Sequence, residues 1–180
     1  MNKRYSFKNP EMIIAGSALM VSLITAFVSI YSAFIDRAYA RASVWPRLEI
    51  QRSYTDELGK EFFSYFVSNK GTGPAEIKYA KLTSNNQPIS KWPDYLILRT
   101  GGVAPHIQSH IGFLVLSAGE KSTPLHVLDA EAAKLLADND TLQIELCYCS
   151  IYNECWLVDR ANEPKPVAQC QIDEKQRFLQ

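Results

Sequence analysis

The distribution of hydrophobic and charged positions divides the chain into two parts of different character. From Met12 to Ile35 no residue is charged and most side chains are apolar. A helix needs roughly 20 apolar residues to cross the hydrocarbon core of a bilayer, which is about 30 Å thick. The pattern predicts a transmembrane helix over 12–35, preceded by a short polar tail at 1–11 and followed by a juxtamembrane segment at 36–44.

Residues that favour a helix start stand just before this stretch. Asn9 can cap the first amides, Pro10 suits the first helical position and Glu11 suits the positive end of the helix dipole. A cleaved signal peptide is the alternative, because the sequence Ala38-Tyr39-Ala40 has the form of a cleavage site. The uncharged stretch is longer than the roughly 7–15 residues of a signal peptide core, which favours a retained anchor.

After Trp45 the apolar residues recur with a period of two, as in half-buried strands. Ala130–Ala137 is typical of a helix capped by Asp129, whereas Trp92–Leu98 fits either a helix or a strand. Short strands with turn residues between them indicate an antiparallel sandwich over 45–180. Strands are predicted at 47–51, 61–68, 75–83, 109–117, 124–128, 141–151, 155–158 and 167–172.

The loop Asn69–Pro74 is rich in residues that form turns. Its two glycines permit backbone conformations that other residues avoid. We expect Gly71 or Gly73 to have a positive φ.

The distribution of charge argues against nucleic acid as a partner and predicts the orientation of the helix in the membrane. After residue 42 there are 14 Lys and Arg against 17 Asp and Glu, so a basic surface for nucleic acid is absent from the composition. Lys3, Arg4 and Lys8 precede the helix, and Arg37 and Arg41 follow it closely. The positive-inside rule therefore favours a cytoplasmic N-terminus and an extracytoplasmic β domain.

The four cysteines crowd into the last quarter of the chain, at Cys147, Cys149, Cys155 and Cys170. Outside the cytoplasm they would form two disulfides, for which three pairings exist. A bond between Cys147 and Cys149 is disfavoured, because neighbours on one strand face fit disulfide geometry poorly. A zinc site and buried free thiols are the alternatives.

Small residues recur at helical spacing along the predicted transmembrane helix. Such a face lets helices approach closely in lipid, so it predicts a homo-oligomer or pairing with another membrane protein. The alternative is the ordinary composition of membrane helices. The face consists of Ala15, Ala18, Ser22, Ala26, Ser29 and Ala33.

Motifs of known catalytic or cofactor sites do not occur in the sequence, so we predict no enzyme, cofactor or metal. His106 and His110 are four apart, but Pro105 and Gly112 argue against a helix that would bring them together. The acidic residues Asp138, Asp140 and Glu145 are expected to be solvated. Aromatic residues near the predicted hairpin, together with Trp92, predict a binding surface formed by Trp92, Tyr152 and Trp156; the alternative is core packing.

Three local motifs resemble those of uncharacterised small bacterial single-pass membrane proteins with an immunoglobulin-like β domain. They are an S-V-W-P junction (Ser43–Pro46), an N-x-G-x-G-P-A loop (Asn69–Ala75) and a C-Y-C-S-x-Y strand (Cys147–Tyr152). Leu116–Glu120 also resembles the L-x-P-G-E turn of such domains, with Ala118 in place of proline. The resemblance implies an immunoglobulin-like sandwich at the bacterial inner membrane, and no known activity.

Two functional hypotheses follow from these patterns. In the first, the protein is a membrane-anchored interaction or scaffold module without catalytic activity, with the lipid bilayer and a protein or second copy as partners. In the second, it is a membrane-tethered sensor or effector, whose β domain binds a small molecule and whose helix transmits the signal. A flat apolar face favours the first, and a deep pocket lined by aromatic and polar groups favours the second.

Overall fold

The structure is a computed structural model that describes residues 10–55 and 61–179. The chain divides into two compact units, residues 1–42 and 43–180.

The first unit contains one long helix, α1, which runs from Pro10 to Ser43. Its 34 residues correspond to a length of about 51 Å. None of them is buried, and the helix is apolar enough and long enough to cross a membrane. The helix continues past Ile35, so most of the predicted juxtamembrane segment is helical. The predicted cap Asn9 and most of the polar tail lie outside the described residues.

The second unit is mainly β, with two further α-helices, α2 at Trp92–Thr100 and α3 at Ala130–Asp138. Asp129 caps α3 as predicted, since its carboxylate accepts a hydrogen bond from the amide of Ala132 at 2.8 Å. A short 3₁₀ helix spans Glu174–Gln176. The strands are β1 Leu48–Thr55, β2 Glu61–Asn69, β3 Ala75–Ser84, β4 Gln87–Ile89, β5 His106–Gln108, β6 Val115–Leu116, β7 Lys121–Val127, β8 Leu142–Cys149, β9 Cys155–Val158 and β10 Lys165–Val167.

These strands form two antiparallel sheets that share one hydrophobic core. The first sheet has the order β1-β2-β7-β5, and the second has the order β10-β9-β8-β3-β4, with β6 also paired to β3. Alternation places Phe63 and Tyr65 of β2 in the same core as Ile77 of β3 and Leu146 of β8. The chain is therefore one helix followed by a β-sandwich-like domain, as the period-two pattern predicts.

The predicted strand at 109–117 is wrong over most of its length. Only Val115–Leu116 is a strand, and β5 precedes it at His106–Gln108. Phe113 has a φ of 54° and is 73 % exposed, so the backbone turns away from strand geometry beside Gly112. Hydrophobic residues alone did not reveal this turn.

The last strand is shorter than predicted and begins earlier. β10 covers Lys165–Val167, and residues 168–172 are irregular. Cys170 is bonded to Cys147 of β8, whereas β10 pairs with β9 at the sheet edge. The chain must leave this edge after Val167 to reach a strand further inside the sheet.

The entry of the chain into the β domain is held by Asn69, which is fully buried. Its side-chain oxygen accepts hydrogen bonds from the amides of Arg47 at 3.2 Å and Gly71 at 2.9 Å. Its side-chain nitrogen donates to the carbonyls of Gly73 at 2.8 Å and Leu116 at 3.0 Å. One amide side chain thus fulfils its hydrogen-bonding capacity in joining three segments.

The two glycines of this loop are needed for a different reason from the one predicted. Neither Gly71 nor Gly73 has a positive φ, so that expectation is wrong. A Cβ atom on Gly71 would fall within 3.0 Å of the Trp45 carbonyl oxygen, and one on Gly73 would meet the Val44 backbone equally closely. The amide of Thr72 also donates to the Trp45 carbonyl at 2.9 Å. The loop requires glycine because another backbone segment packs directly against it.

Candidate functional site

The four cysteines form two disulfides at one end of the second sheet. Cys147 is bonded to Cys170, with their Cα atoms 5.6 Å apart, and Cys149 is bonded to Cys155. Cys149 and Cys155 are opposite each other in the β8–β9 register, so the second bond crosses the hairpin. Neither disulfide joins Cys147 to Cys149.

The two disulfides are in direct contact. The Sγ atom of Cys149 lies 3.8 Å from the Sγ atom of Cys170, which belongs to the other bond. The sulfur atoms of Cys149, Cys155 and Cys170 lie within 4.8 Å of one another, a spacing that ligands of a single metal ion could share. A metal requires thiolates, however, and each of these sulfurs is in a disulfide.

Ser150 shapes the turn of the hairpin that carries these cysteines. Its buried hydroxyl accepts hydrogen bonds from the amides of Tyr152 at 3.2 Å and Glu154 at 3.3 Å. Asn153 completes the turn with a φ of 59°, a conformation that asparagine tolerates well. The turn leaves Ile151 and Tyr152 exposed, at 61 % and 43 %.

Of the three predicted binding-surface aromatics, Trp92 does not belong to a surface. It is fully buried, stacked with Tyr65 at a ring-centroid distance of 6.3 Å and in edge contact with Phe178 at 5.0 Å. Trp92 starts α2, which covers the core, so its size serves packing. The prediction that Trp92 is part of the binding surface is wrong.

Trp156 and Tyr152 do lie on the same hairpin. The half-buried Trp156 stacks on Tyr148 across β8 and β9, with ring centroids 5.8 Å apart. Burial raises the pKa of Tyr148 above its ordinary value. On the outer side of the hairpin is a cavity of about 320 Å³. It is lined by Asn153, Glu154, Cys155, Trp156, Pro166 and Val167.

Asp140 is buried rather than solvated, contrary to the prediction for the acidic cluster. Only 3 % of its side chain is exposed. Its carboxylate forms ion pairs with Arg52 at 2.8 Å and Arg160 at 2.7 Å, and it accepts a hydrogen bond from the Tyr65 hydroxyl at 2.5 Å. Burial, together with nearby Tyr95 and Asp140, raises the pKa of Tyr65. The partners come from distant parts of the sequence, so no local pattern marks this cluster.

The sequence also did not predict a contact between a serine and a histidine. Ser64 on β2 and His126 on β7 are opposite each other, and the Ser64 hydroxyl hydrogen-bonds the Nδ1 atom of His126. Ser64 is fully buried, so its oxygen is inaccessible to a substrate. The contact resembles a cross-strand polar pair more than a nucleophile with its base.

His106 and His110 are not on a helix, the conformation in which their spacing would bring them together. His106 lies on β5, where its Nδ1 atom is 2.8 Å from the carbonyl oxygen of Ala104, and His110 lies in the following loop. Within the described residues, neither histidine belongs to a cluster that could hold a metal ion.

The small residues of α1 share one helical face, and their hydroxyls are occupied within the helix. Ser22 donates to the carbonyl of Ala18, and Ser29 donates to the carbonyl of Thr25, both at 2.8 Å. Any association through this face must therefore rely on close backbone packing more than on hydrogen bonds between helices.

Comparison with protein-family models, with curated proteins and with solved structures gives no match to this chain. The function must be inferred from the geometry described above.

Proposed function

We propose that the protein is a single-pass membrane-anchored interaction module, with no catalytic activity and with its β domain outside the cytoplasm. The observation that carries this proposal is α1, an apolar helix of 34 residues that leads directly into a disulfide-bonded β domain. A helix with this composition and no buried residue has the bilayer as its natural apolar surroundings.

Two independent features support the orientation. Disulfides persist in oxidising compartments, and the structure pairs all four cysteines. The excess of Lys and Arg before the helix favours a cytoplasmic N-terminus by the positive-inside rule. Both features favour the same side of the membrane for the β domain.

We infer that the β domain is immunoglobulin-like. The order β1-β2-β7-β5 follows that of strands A, B, E and D in such domains, and β9-β8-β3-β4 follows G, F, C and C′. The same inference agrees with the resemblance of the chain to small bacterial single-pass membrane proteins. Immunoglobulin-like domains present loops at the ends of the sandwich, and these loops are the natural contact sites for a protein partner.

The hairpin turn and the helix face are the two surfaces that we assign to partners. Ile151 and Tyr152 project from a turn that is hydrogen-bonded to the Ser150 hydroxyl. Exposed aromatic and apolar residues are typical anchors in protein interfaces. The small-residue face of α1 would pair with a second copy or with another membrane helix.

One cavity is relevant to the second candidate function, a ligand sensor, and its lining contains no aromatic residue. On the second sheet lies an open cavity of about 430 Å³, large enough for a small molecule. Its lining is polar and includes Lys81, Glu145, Asp159 and Gln176. A polar ligand would suit it, whereas the apolar lining typical of tight small-molecule sites is lacking.

Two experiments test the anchor and the orientation. The full chain should stay in the membrane pellet after alkaline carbonate extraction, and a chain starting at Ser43 should be soluble. In intact cells treated first with a reductant, a membrane-impermeant maleimide should label the cysteines. Extraction of the full chain by carbonate would contradict the anchor, and labelling only after cell lysis would contradict the orientation.

The interaction itself is tested by replacing the exposed turn residues. Ile151→Ser with Tyr152→Ser should abolish cross-linking of the β domain to its protein partner in membranes, while leaving stability within about 0.5 kcal/mol. A matched control is Leu135→Ser, at an exposed position of α3. Equal loss of cross-links in both variants would contradict the assignment of the turn.

A further inference from the structure

The contact between the two disulfides has a chemical consequence that goes beyond anchoring and partner binding. Disulfides exchange when a thiolate attacks a disulfide sulfur, and exchange between two disulfides of one protein requires their sulfur atoms to lie close together. The Sγ atom of Cys149 lies 3.8 Å from that of Cys170. If Cys149 becomes a thiolate, the disulfide between Cys147 and Cys170 is its immediate neighbour.

The structure also provides a way for an external thiol to start such a reaction. Cys155 is half-buried and lines the cavity of about 320 Å³ beside the hairpin. Cys147 and Cys149 are buried, at 0 % and 3 % exposure. Cys170 is half-buried as well, but it does not line this cavity. An attacking thiolate that enters the cavity therefore meets Cys155, and Trp156, Pro166 and Val167 provide apolar contacts for the rest of the molecule.

We propose that the cysteine cluster is a thiol–disulfide exchange site that accepts electrons from an external thiol, with Cys155 as the point of attack. The external thiolate bonds to the Sγ atom of Cys155 and breaks the bond between Cys149 and Cys155. The electron pair of that bond leaves with Cys149, which becomes a thiolate. The product carries a mixed disulfide on Cys155.

The released thiolate then acts within the protein. Cys149 attacks the Sγ atom of Cys170, a bond forms between Cys149 and Cys170, and Cys147 leaves as a thiolate that takes up the proton released when the external thiol ionised. The attacking and attacked sulfurs already lie close together, so the step requires little movement of the backbone. The disulfide between Cys147 and Cys170 thus favours the forward reaction, because it consumes the Cys149 thiolate that would otherwise re-form the bond to Cys155.

A second external thiol completes the reaction. Its thiolate attacks the external sulfur of the mixed disulfide, and Cys155 leaves as a thiolate that is protonated. In the overall reaction, two external thiols are oxidised to one disulfide, and one of the two protein disulfides is reduced to two thiols. The reduced protein keeps a bond between Cys149 and Cys170 and has thiols at Cys147 and Cys155.

Peptide mapping of the native full chain in detergent micelles tests this site. One arm receives reduced glutathione, and the other receives an unstructured peptide with a single cysteine, beside the same peptide with serine. The reaction is stopped with N-ethylmaleimide, and the denatured protein is cleaved with chymotrypsin. Cleavage after Tyr148 and Tyr152 separates Cys147, Cys149 and Cys155, so each label and each bond has its own fragment.

The expected two-thiol product carries label on Cys147 and Cys155 in equal amounts and retains a bond between Cys149 and Cys170. Exchange in either arm supports the site, and the faster arm identifies a small thiol or a protein cysteine as the donor. In Cys147→Ala with Cys170→Ala the acceptor disulfide is missing, so label should move to Cys149 and Cys155. The mapping of the unaltered chain decides the proposal without this variant.

Three results would overturn the proposal. The first is label on Cys149 and Cys155 in the unaltered chain, with the bond between Cys147 and Cys170 intact. The second is reduction by neither thiol until the protein is denatured. The third is a native protein isolated with four free or metal-bound thiols. None of these results depends on whether α1 crosses a membrane.

Discussion

The hydroxyl of Tyr65 donates a hydrogen bond of 2.5 Å to the carboxylate of Asp140, and this contact joins the two sheets of the β domain. Tyr65 lies on β2 of the first sheet, and Asp140 lies just before β8 of the second. Arg52 and Arg160 neutralise the carboxylate, which also accepts the amide of Leu142 at 3.2 Å. A buried carboxylate is tolerated here because its hydrogen-bonding and charge requirements are met.

Loss of this charge should destabilise the domain. We expect Asp140→Asn to lower the free energy of unfolding by about 1.5–3 kcal/mol, because hydrogen bonds to charged groups contribute in this range. The measurement is urea denaturation followed by tryptophan fluorescence. Asp138→Asn is the control, since Asp138 is exposed and its replacement should change stability by less than about 0.5 kcal/mol. Equal effects of the two substitutions would show that the cluster has no special role.

Side chains are excluded from Gly71 and Gly73 by close backbone packing. We expect Gly71→Ala and Gly73→Ala each to cost about 1–3 kcal/mol, the usual range for forcing extra atoms into a well-packed site. In both cases the added methyl group would collide with the segment Val44–Arg47, which is backbone and cannot rotate away. Thermal unfolding followed by circular dichroism measures the change.

Gly102 provides a matched control for this experiment. A Cβ atom there meets nothing within 4 Å, and its φ is not in the left-handed region. Gly102→Ala should therefore leave the melting temperature unchanged or raise it slightly, because alanine restricts the unfolded chain. If Gly71→Ala and Gly73→Ala behave like Gly102→Ala, the contact between the loop and the entry segment is not part of the folded state.

The parts of the fold that could be predicted are those with local signals. Strand β3 largely alternates between buried and more exposed residues, and β2 is a dense apolar run that ends at the turn residues after Asn69, so the bounds of both were predicted within one residue. The segment 109–117 is equally apolar, but a left-handed residue at Phe113 interrupts it, and phenylalanine gives no warning of that conformation. Local sequence patterns do not predict where a strand is interrupted by the φ angle of a single residue.

The candidate site was predicted only in part, for a related reason. The cysteines are recognisable as a group, but their pairing depends on where Cys170 returns to the sheet, which is a tertiary property. The burial of Trp92 and Asp140 depends on partners far away in sequence, such as Phe178 and Arg52. Residue type indicates which interactions a side chain can make, whereas its burial in the fold determines whether it is available to a partner.

The buried tyrosines should make the domain sensitive to alkaline pH. Burial is the main cause that raises the pKa of Tyr65, Tyr95 and Tyr148 above the ordinary value of 10.0. Above pH 10 the unfolded chain loses these protons while the folded chain keeps them, so stability falls as pH rises. A tyrosine that keeps its proton in the folded chain contributes a slope that approaches about 1.4 kcal/mol per pH unit above pH 10.

Urea denaturation at pH 9, 10 and 11 measures this slope. Tyr148→Phe should be less sensitive than the unaltered chain between pH 10 and 11, because one fewer tyrosine resists ionisation. Tyr152→Phe is the control, since Tyr152 is 43 % exposed. Constant stability from pH 9 to 11 would mean that the three hydroxyls ionise equally easily in the folded and unfolded chain.

The last prediction concerns self-association through the small-residue face of α1. Ser22 and Ser29 satisfy their hydroxyls within the helix, so their contribution is small size, which allows close backbone approach. We expect Ser22→Leu with Ser29→Leu to reduce cross-linking between copies in native membranes, because leucine would hold the helices apart.

Val21→Leu with Val28→Leu is the matched control on another part of the helix surface, with the same number of leucines added. Because measured hydrogen-bonding pairs between membrane helices contribute only about 0.6 kcal/mol each, several close contacts must act together, and two bulky residues suffice to interrupt them. Cross-linking should therefore fall in the serine variant and persist in the valine variant. Yields that fall equally in both, or in neither, would mean that the face reflects composition and not an interface.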